Sequence, residues 1–374
     1  MKTLNISHVD TFFVNGSYPI EFLLFYKNKI PTKKIFSALK KLSGLFWPAF
    51  GHYDAGKIFG YNYNEPEFFN EETRQNDFDL RQPPEIILNN YRNLIPAEIN
   101  KLFYLKIIHY KNGTALIAKM NHLAGDGYSY FYILSLLAQF SRNNFIPLRS
   151  VAIRYHYRPH HDRNCLKPFI FTGKSAFPLA DLEKPVLEFE TVSKKTIMTR
   201  IKKIGEKFNQ SVSTNDLLCA MVMKKTLEFH AGKFKNTFQL SLPIDIRQKI
   251  VQYGPRFFGN GLMFHHIHFS IQEIIQTDVE NLAIQIRQNM PQLSKGTYRN
   301  YLEQIEENIF KKQIHLLRPY DPENGSLVTN LSRLPTHKLN FGKGKPDLTL
   351  LLTVGKNSAA ILANGEEFIL RYVY

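Results

Sequence analysis

The 374-residue chain holds only two cysteines, Cys165 and Cys219, far apart and without C-x-x-C spacing. That scarcity excludes a disulfide framework, a zinc knuckle and a redox dithiol, and it fits a reducing cytosol. Long apolar runs are also lacking. The longest, Tyr128 to Phe140, is interrupted by Ser and Gln and is too short to cross a bilayer. Asp10 lies where the apolar stretch of a signal peptide would fall. Neither a leader nor a transmembrane segment is expected, and a cytoplasmic location is. No segment is low-complexity, so a disordered, collagen-like or coiled-coil chain is excluded. With 44% hydrophobic and 13% aromatic residues there is ample material for a sizeable interior, and the length calls for two domains.

Negative charge is in short supply, with 32 Asp+Glu against 48 Lys+Arg and a formal net charge of +16. Such a balance attracts an anionic partner, whether nucleic acid, phospholipid head groups or a phosphorylated cofactor, and is equally the mark of a lysine-rich solvated surface. No run of five like charges, RNP-type motif, zinc finger or basic heptad accompanies it, so no nucleic-acid partner is expected.

Strand and helix patterns alternate. Glu21 to Tyr26 reads as a strand, and Pro31-Thr32 opens a helix with Ile35, Leu39 and Leu42 on one face. Leu102 to Tyr110 and Thr114 to Met120 flank Lys111-Asn112-Gly113, a hairpin signal, and Tyr128 to Phe140 reads as a helix buried on most sides. From 142 to 185 the periodicity dissolves into a crossover. Beyond it, Lys195 to Arg200 reads as a strand, and Ser213 to Asp216 as a capping box before a helix from Leu217 to His230. Phe238 to Ile244 is a strand; Thr277 with Glu280 caps a helix through Met290, and Tyr298 to Lys312 is another. Leu348 to Val354, Ala359 to Leu362 and Phe368 to Val373 close the chain as strands. The class is α/β or α+β.

The sharpest string is His122-Leu123-Ala124-Gly125-Asp126-Gly127. With 13 histidines and 20 glycines in the chain, H-x-x-x-D-G is expected by chance only about 0.02 times. An imidazole on a tight turn after a strand can be held with one nitrogen toward a cleft, and its near-neutral pKa suits proton transfer. Asp126 is better placed to cap the next helix or to pair with a cation behind the turn than to act as a second base. Gly51 to Lys57 imitates a phosphate loop, but Ile58 stands where the magnesium-binding Ser or Thr must be. His160-His161 and His265-His266 with His268 lack the spacing of a metal site, so no metal is expected. Cys219 falls on an apolar helix face, and Gly342 and Gly344 read as turn positions.

Taken together, these segments resemble the BAHD acyltransferases, in the wider superfamily of chloramphenicol acetyltransferase and the condensation domains of peptide synthetases. The family's H-x-x-x-D-G is matched by His122, Asp126 and Gly127; its D-x-R and F-G-N by Asp245-Ile246-Arg247 and Phe258-Gly259-Asn260. Its strand leading to Leu-Pro and then D-F-G-W-G-K-P is matched by Thr329 to Pro335 and by Asn340 to Pro346. Order and spacing agree from His8-Val9-Asp10 to the last strand. Three positions depart: Asn121 stands where many members carry a second His, and Asn340 and Lys343 replace the Asp and Trp of the glycine-rich loop. The chain is also shorter than plant members.

The resemblance implies two chloramphenicol-acetyltransferase-like lobes with mixed β-sheets flanked by helices and an active-site channel between them. Residues 1–185 would form the N-terminal lobe, including the crossover 142–185, and residues 186–374 the C-terminal lobe. It implies a monomeric acyltransferase that moves an acyl group from acyl-coenzyme A, a co-substrate rather than a resident cofactor, to a hydroxyl or amine of a small molecule. His122 would be the general base, with no covalent acyl-enzyme. Asp126 and Arg247 would form the ion pair bracing the His turn, expected as a buried bidentate contact. Thr329 would place its hydroxyl near the oxyanion. The alternatives are an acyl-carrier-protein-dependent condensing enzyme and a non-catalytic binding protein of the same fold.

Overall fold

The computed structural model describes residues 2–14, 19–60, 68–95, 101–142, 185–230, 232–234, 236–250, 254, 257–313 and 316–374. The crossover 142–185, with Cys165 and His160-His161, lies outside these residues but for its ends. The first third runs β1 (Thr3–Asn5), a 3-10 helix (Val9–Phe13), β2 (Ile20–Tyr26), α1 (Thr32–Leu45), β3 (His52–Asp54), β4 (Lys57–Phe59), β5 (Phe69–Thr73) and α2 (Pro84–Tyr91). Then come β6 (Phe103–Tyr110), β7 (Gly113–Met120) and α3 (Gly127–Arg142). Past the crossover lie β8 (Leu187–Ser193), α4 (Lys194–Phe208), α5 (Thr214–Phe229), β9 (Thr237–Asp245), β10 (Leu262–Ser270), α6 (Ile271–Gln276), α7 (Val279–Asn289) and α8 (Lys295–Phe310). β11 (Gly325–Asn330), a 3-10 turn (Thr336–Lys338), β12 (Leu348–Leu351), β13 (Ser358–Asn364) and β14 (Glu367–Val373) end the chain.

These strands form a five-stranded sheet in the order β12-β2-β7-β6-β5, a six-stranded sheet in the order β10-β9-β11-β13-β14-β8, and a small sheet β1-β4-β3. The two larger sheets are mixed: β5 runs parallel to β6, and β11 parallel to both β9 and β13. The six-stranded sheet contains only strands from beyond the crossover, whereas the five-stranded sheet takes β12 from the last third of the chain, with Leu351 opposite Phe22 of β2. A division by chain position and a division by sheet therefore differ at this strand. One apolar cluster joins the inner sides of the two sheets, drawing on Phe13, Phe22 and Phe131 from one and on Phe258, Phe264 and Ala360 from the other. Separate clusters cover the outer faces.

In the hairpin, register pairs Tyr110 with Gly113, so the turn is Lys111-Asn112 and Gly113 already belongs to β7. Asn112 works through its amide, whose Oδ1 accepts from Phe78 N at 2.9 Å and whose Nδ2 donates to Phe78 O at 2.9 Å. Glycine is needed at 113 because a Cβ there would collide with the Tyr26 carbonyl of the neighbouring strand. The glycine signals closeness here, not a left-handed turn.

Two expectations fail. Lys195 to Arg200 is the start of α4, and the strand precedes it at Leu187–Ser193. The β-branched Thr196, Ile197 and Thr199 imitate a strand, but Ile197, Ile201 and Ile204 recur at helical spacing and pack into the C-terminal core. The cap of α7 is Asp278, which accepts from Asn281 N at 2.7 Å, while Thr277 ends the preceding helix α6. The box at Ser213 forms in full: Ser213 Oγ accepts from Asp216 N, and Asp216 Oδ2 accepts from Ser213 N. Arg287 of α7 pairs with the same carboxylate, locking α5 to α7.

The phosphate-loop lookalike is the hairpin of β3 and β4, with Gly56 at φ 81°, so it has no helix N-terminus to offer a phosphate. His265, His266 and His268 lie along β10, where the first two bond Asn289 O and Ser241 Oγ, and no metal-binding cluster occurs among the described residues. No helix there is long and apolar enough to cross a membrane. Cys219 is sealed in the C-terminal core, where burial pushes its thiol pKa up.

Candidate active site

β7 ends at Met120, and the next six residues turn the chain into α3. The turn is locked by Asn121, whose Oδ1 accepts from Leu123 N at 2.9 Å. An amide acceptor does this work, and so the departure at Asn121 has a local structural use. His122 follows, stacked on Phe13 with ring centroids 4.0 Å apart, and lines a cavity of about 480 Å³ between the two large sheets.

A single amide orients the ring. Asn260 Nδ2 donates to Asp10 Oδ1 at 2.8 Å and to His122 O at 2.7 Å. Both partners are acceptors, so the Asn260 nitrogen must face them and its Oδ1 must face the ring. That oxygen lies 3.1 Å from His122 Nδ1, which therefore carries the proton and donates it. The lone pair is left on Nε2, which has no partner among the described residues. Burial holds the imidazole pKa below its ordinary 6.5, against the opposing field of Asp126, so the ring is neutral at pH 7. Behind Asn260, burial raises the Asp10 carboxyl from 3.8 to about 6, although hydrogen bonds from Asn260 and Ser7 act to lower it. Asn260 and Asp10 fall within matched segments, but their joint role in fixing the tautomer appears only when strand ends far apart in sequence meet.

Asp126 is 1% exposed and does two jobs at once. Its Oδ1 accepts from Ser129 N at 3.0 Å, capping α3, and its carboxylate lies 2.8 Å from Arg247 Nη2. Gly261 N also donates to it, at 2.9 Å. Contact with Arg247 runs through one nitrogen rather than the expected two-pronged fork, because the other guanidinium donors are already committed. Nε donates to Phe257 O at 3.1 Å and Nη1 to Asp245 Oδ1 at 3.1 Å, while Nη2 also reaches Gly259 O at 3.0 Å. Burial opposes the Arg247 charge, but Asp126 and Asp245 outweigh it and hold the pKa above its ordinary value. The guanidinium lies so close over Gly261 that a Cβ there would be 2.7 Å from Nη1. Arg247 thus joins the His turn to the β9–β10 connection as a bolt between lobes.

Thr329, half-buried on β11, lines the same cavity, and its hydroxyl has no partner among the described residues. The glycine-rich loop does not line it. There Asn340 Oδ1 accepts from Gly342 N at 2.8 Å and Gly344 N at 3.0 Å, and Phe341 packs edge-on to Tyr26 of β2. Both glycines have positive φ, 96° and 92°. An amide oxygen suffices for that turn, so the replacement of the family's Asp costs nothing visible in this loop.

A family model described as the Transferase family matches residues 77–364. No curated protein matches the sequence. TRI101 of F. sporotrichioides, solved with coenzyme A and T-2, is similar at a TM-score of 0.75 and 14% identity, covering 99% of this chain and 94% of that one. Vinorine synthase is similar at 0.69 and 18%, covering 100% and 90%. The epimerization domain from the third module of tyrocidine synthetase B is similar at 0.57 and 11%, covering 100% and 91%. At such identities the likeness carries the fold, that of the two-lobed chloramphenicol-acetyltransferase-like enzymes.

Proposed function

The chain belongs to the Transferase family of BAHD-like acyltransferases, and from that premise we propose that it moves an acyl group from acyl-coenzyme A to a hydroxyl or amine of a small molecule, with His122 as general base. The observation that carries this reading is the His122 ring, which lines the cavity and is held at Nδ1 by Asn260, so that the lone pair is left on Nε2. Nε2 takes the proton from the acceptor O–H or N–H as that atom bonds to the thioester carbonyl. The oxygen that becomes negative is met by the Thr329 hydroxyl, which is free to donate. Collapse of the tetrahedral intermediate breaks the C–S bond, and the departing thiolate takes the proton back from Nε2. Each cycle returns the ring to its starting tautomer, so no side-chain nucleophile is needed. The coenzyme A neighbours, TRI101 among them, support the choice of donor, as does the surplus of positive charge, which favours an anionic carrier.

The test is a panel of acyl-coenzyme A donors incubated with metabolite extract and read by mass spectrometry, followed by kinetics on His122→Ala. Loss of the base should lower kcat about 10²-fold or more in a protein with unchanged circular dichroism. For the parent enzyme the acidic limb of kcat/KM should fall below pH 6.5, because burial lowers the His122 pKa. Unchanged turnover in the folded variant removes His122 from the chemistry.

A further inference from the structure

Besides Arg247 and the exposed Arg333, the cavity wall carries a buried guanidinium that acyl transfer as described does not use. Arg371 lies within β14, opposite Ala360 of β13 and Phe189 of β8. Its neighbours Leu370 and Tyr372 pack in the C-terminal core, so strand alternation turns Arg371 to the opposite face, toward the space between the sheets, where it lines the cavity. It is 2% exposed. Nη2 donates to Thr353 O at 2.8 Å, and Nε is buried with no partner. No carboxylate pairs with it among the described residues. Burial without a compensating charge lowers its pKa to about 9.

Arg247 shows how this chain holds a guanidinium whose task is structural: two carboxylates and several backbone carbonyls surround it. Arg371 has one carbonyl. A buried unpaired cation is costly unless something else satisfies it, and Arg371 lines the cavity in which a ligand could do so. The two acids on that wall, Asp126 and Asp245, are taken by Arg247. One planar fork with spare donors matches the two oxygens of one carboxylate.

We propose that Arg371 binds a carboxylate carried by the substrate, so that the enzyme selects a carboxylate-bearing acceptor or acyl group over its neutral counterpart. Calling the ligand a substrate rests on the acyl-transfer reading; the binding site itself does not.

Calorimetry without turnover separates the two. Wild type, Arg371→Met and Arg371→Lys are titrated with a panel of hydroxy acids and amino acids, each against its own methyl ester, and with succinyl-coenzyme A against butyryl-coenzyme A. A charge-assisted contact predicts that at least one acid binds wild type about tenfold or more tighter than its neutral counterpart. In Arg371→Met that preference should shrink to about twofold or less, with binding of the neutral compound unchanged. Preference in the first arm places the carboxylate on the acceptor, and in the second on the acyl group. Arg371→Lys keeps the charge but not the fork, and should show an intermediate preference; it carries the test should Arg371→Met fail to fold. Absence of any acid preference in both arms, or a preference that survives in folded Arg371→Met, overturns the assignment. Acid preference in binding with no transfer to any acceptor leaves the Arg371 site standing and removes acyl transfer instead.

Discussion

Arg247→Met would take away a guanidinium that is 3% exposed and replace it with a side chain of similar length and no charge. Two kinds of loss follow. Asp126 would lose its cation but keep the Gly261 and Ser129 amides, so its charge would be only partly stranded. The Phe257 carbonyl would lose its donor in a buried setting, whereas the Gly259 carbonyl would keep Ser129 Oγ. Breaking a buried ion pair from one side costs about 3–5 kcal/mol, and the orphaned Phe257 carbonyl adds about 1–3 kcal/mol unless water reaches it. The variant should therefore unfold at much lower urea, and its turnover should fall although His122 itself is unchanged. Adding Asp126→Asn removes the stranded charge but not the orphaned Phe257 carbonyl. Of the loss, about 1–2 kcal/mol should return, appearing as a coupling in the double-mutant cycle. Four proteins measured by urea unfolding and by kcat decide the matter. Additivity within about 0.5 kcal/mol would mean that Asp126 serves only as the cap of α3 and that the two lobes are joined elsewhere.

Gly261→Ala should reproduce much of that defect without touching any charge, because its Cβ would lie 2.7 Å from Arg247 Nη1 and displace the guanidinium; near-wild-type activity and stability would show that the close approach is unimportant. Asn260→Ala should lower kcat about tenfold or more with the donor KM little altered, since the ring loses the acceptor that fixes its tautomer; an equal rise in KM alone would mean that Asn260 serves binding instead.

The patterns most legible in the sequence were those made by neighbours along the chain. The hairpin of β6 and β7, the capping box at Ser213 and the helices α1 and α3 each follow from local periodicity and turn chemistry, and the H-x-x-x-D-G string placed His122 at a strand-to-helix turn. Where local and tertiary preferences competed, local reading failed: α4 carries β-branched residues, but Ile197, Ile201 and Ile204 share a buried face, and the helix is tied to α7 by Arg200 and Glu280. The Asn-Gly signal was answered by a close approach at Gly113 and a side-chain bond at Asn112, neither visible without the neighbouring segments.

By itself, the sequence determined the family, through H-x-x-x-D-G, D-x-R and F-G-N read in that order. What only the tertiary structure decided is which nitrogen of His122 is free, how many prongs join Arg247 to Asp126, and that the buried Arg371 has no carboxylate partner among the described residues. Those are questions of distance between groups 121 to 250 positions apart in the chain. Hydrogen bonds and ion pairs act over a few ångströms, and no spacing along the chain encodes which distant donors and acceptors will fall within that reach.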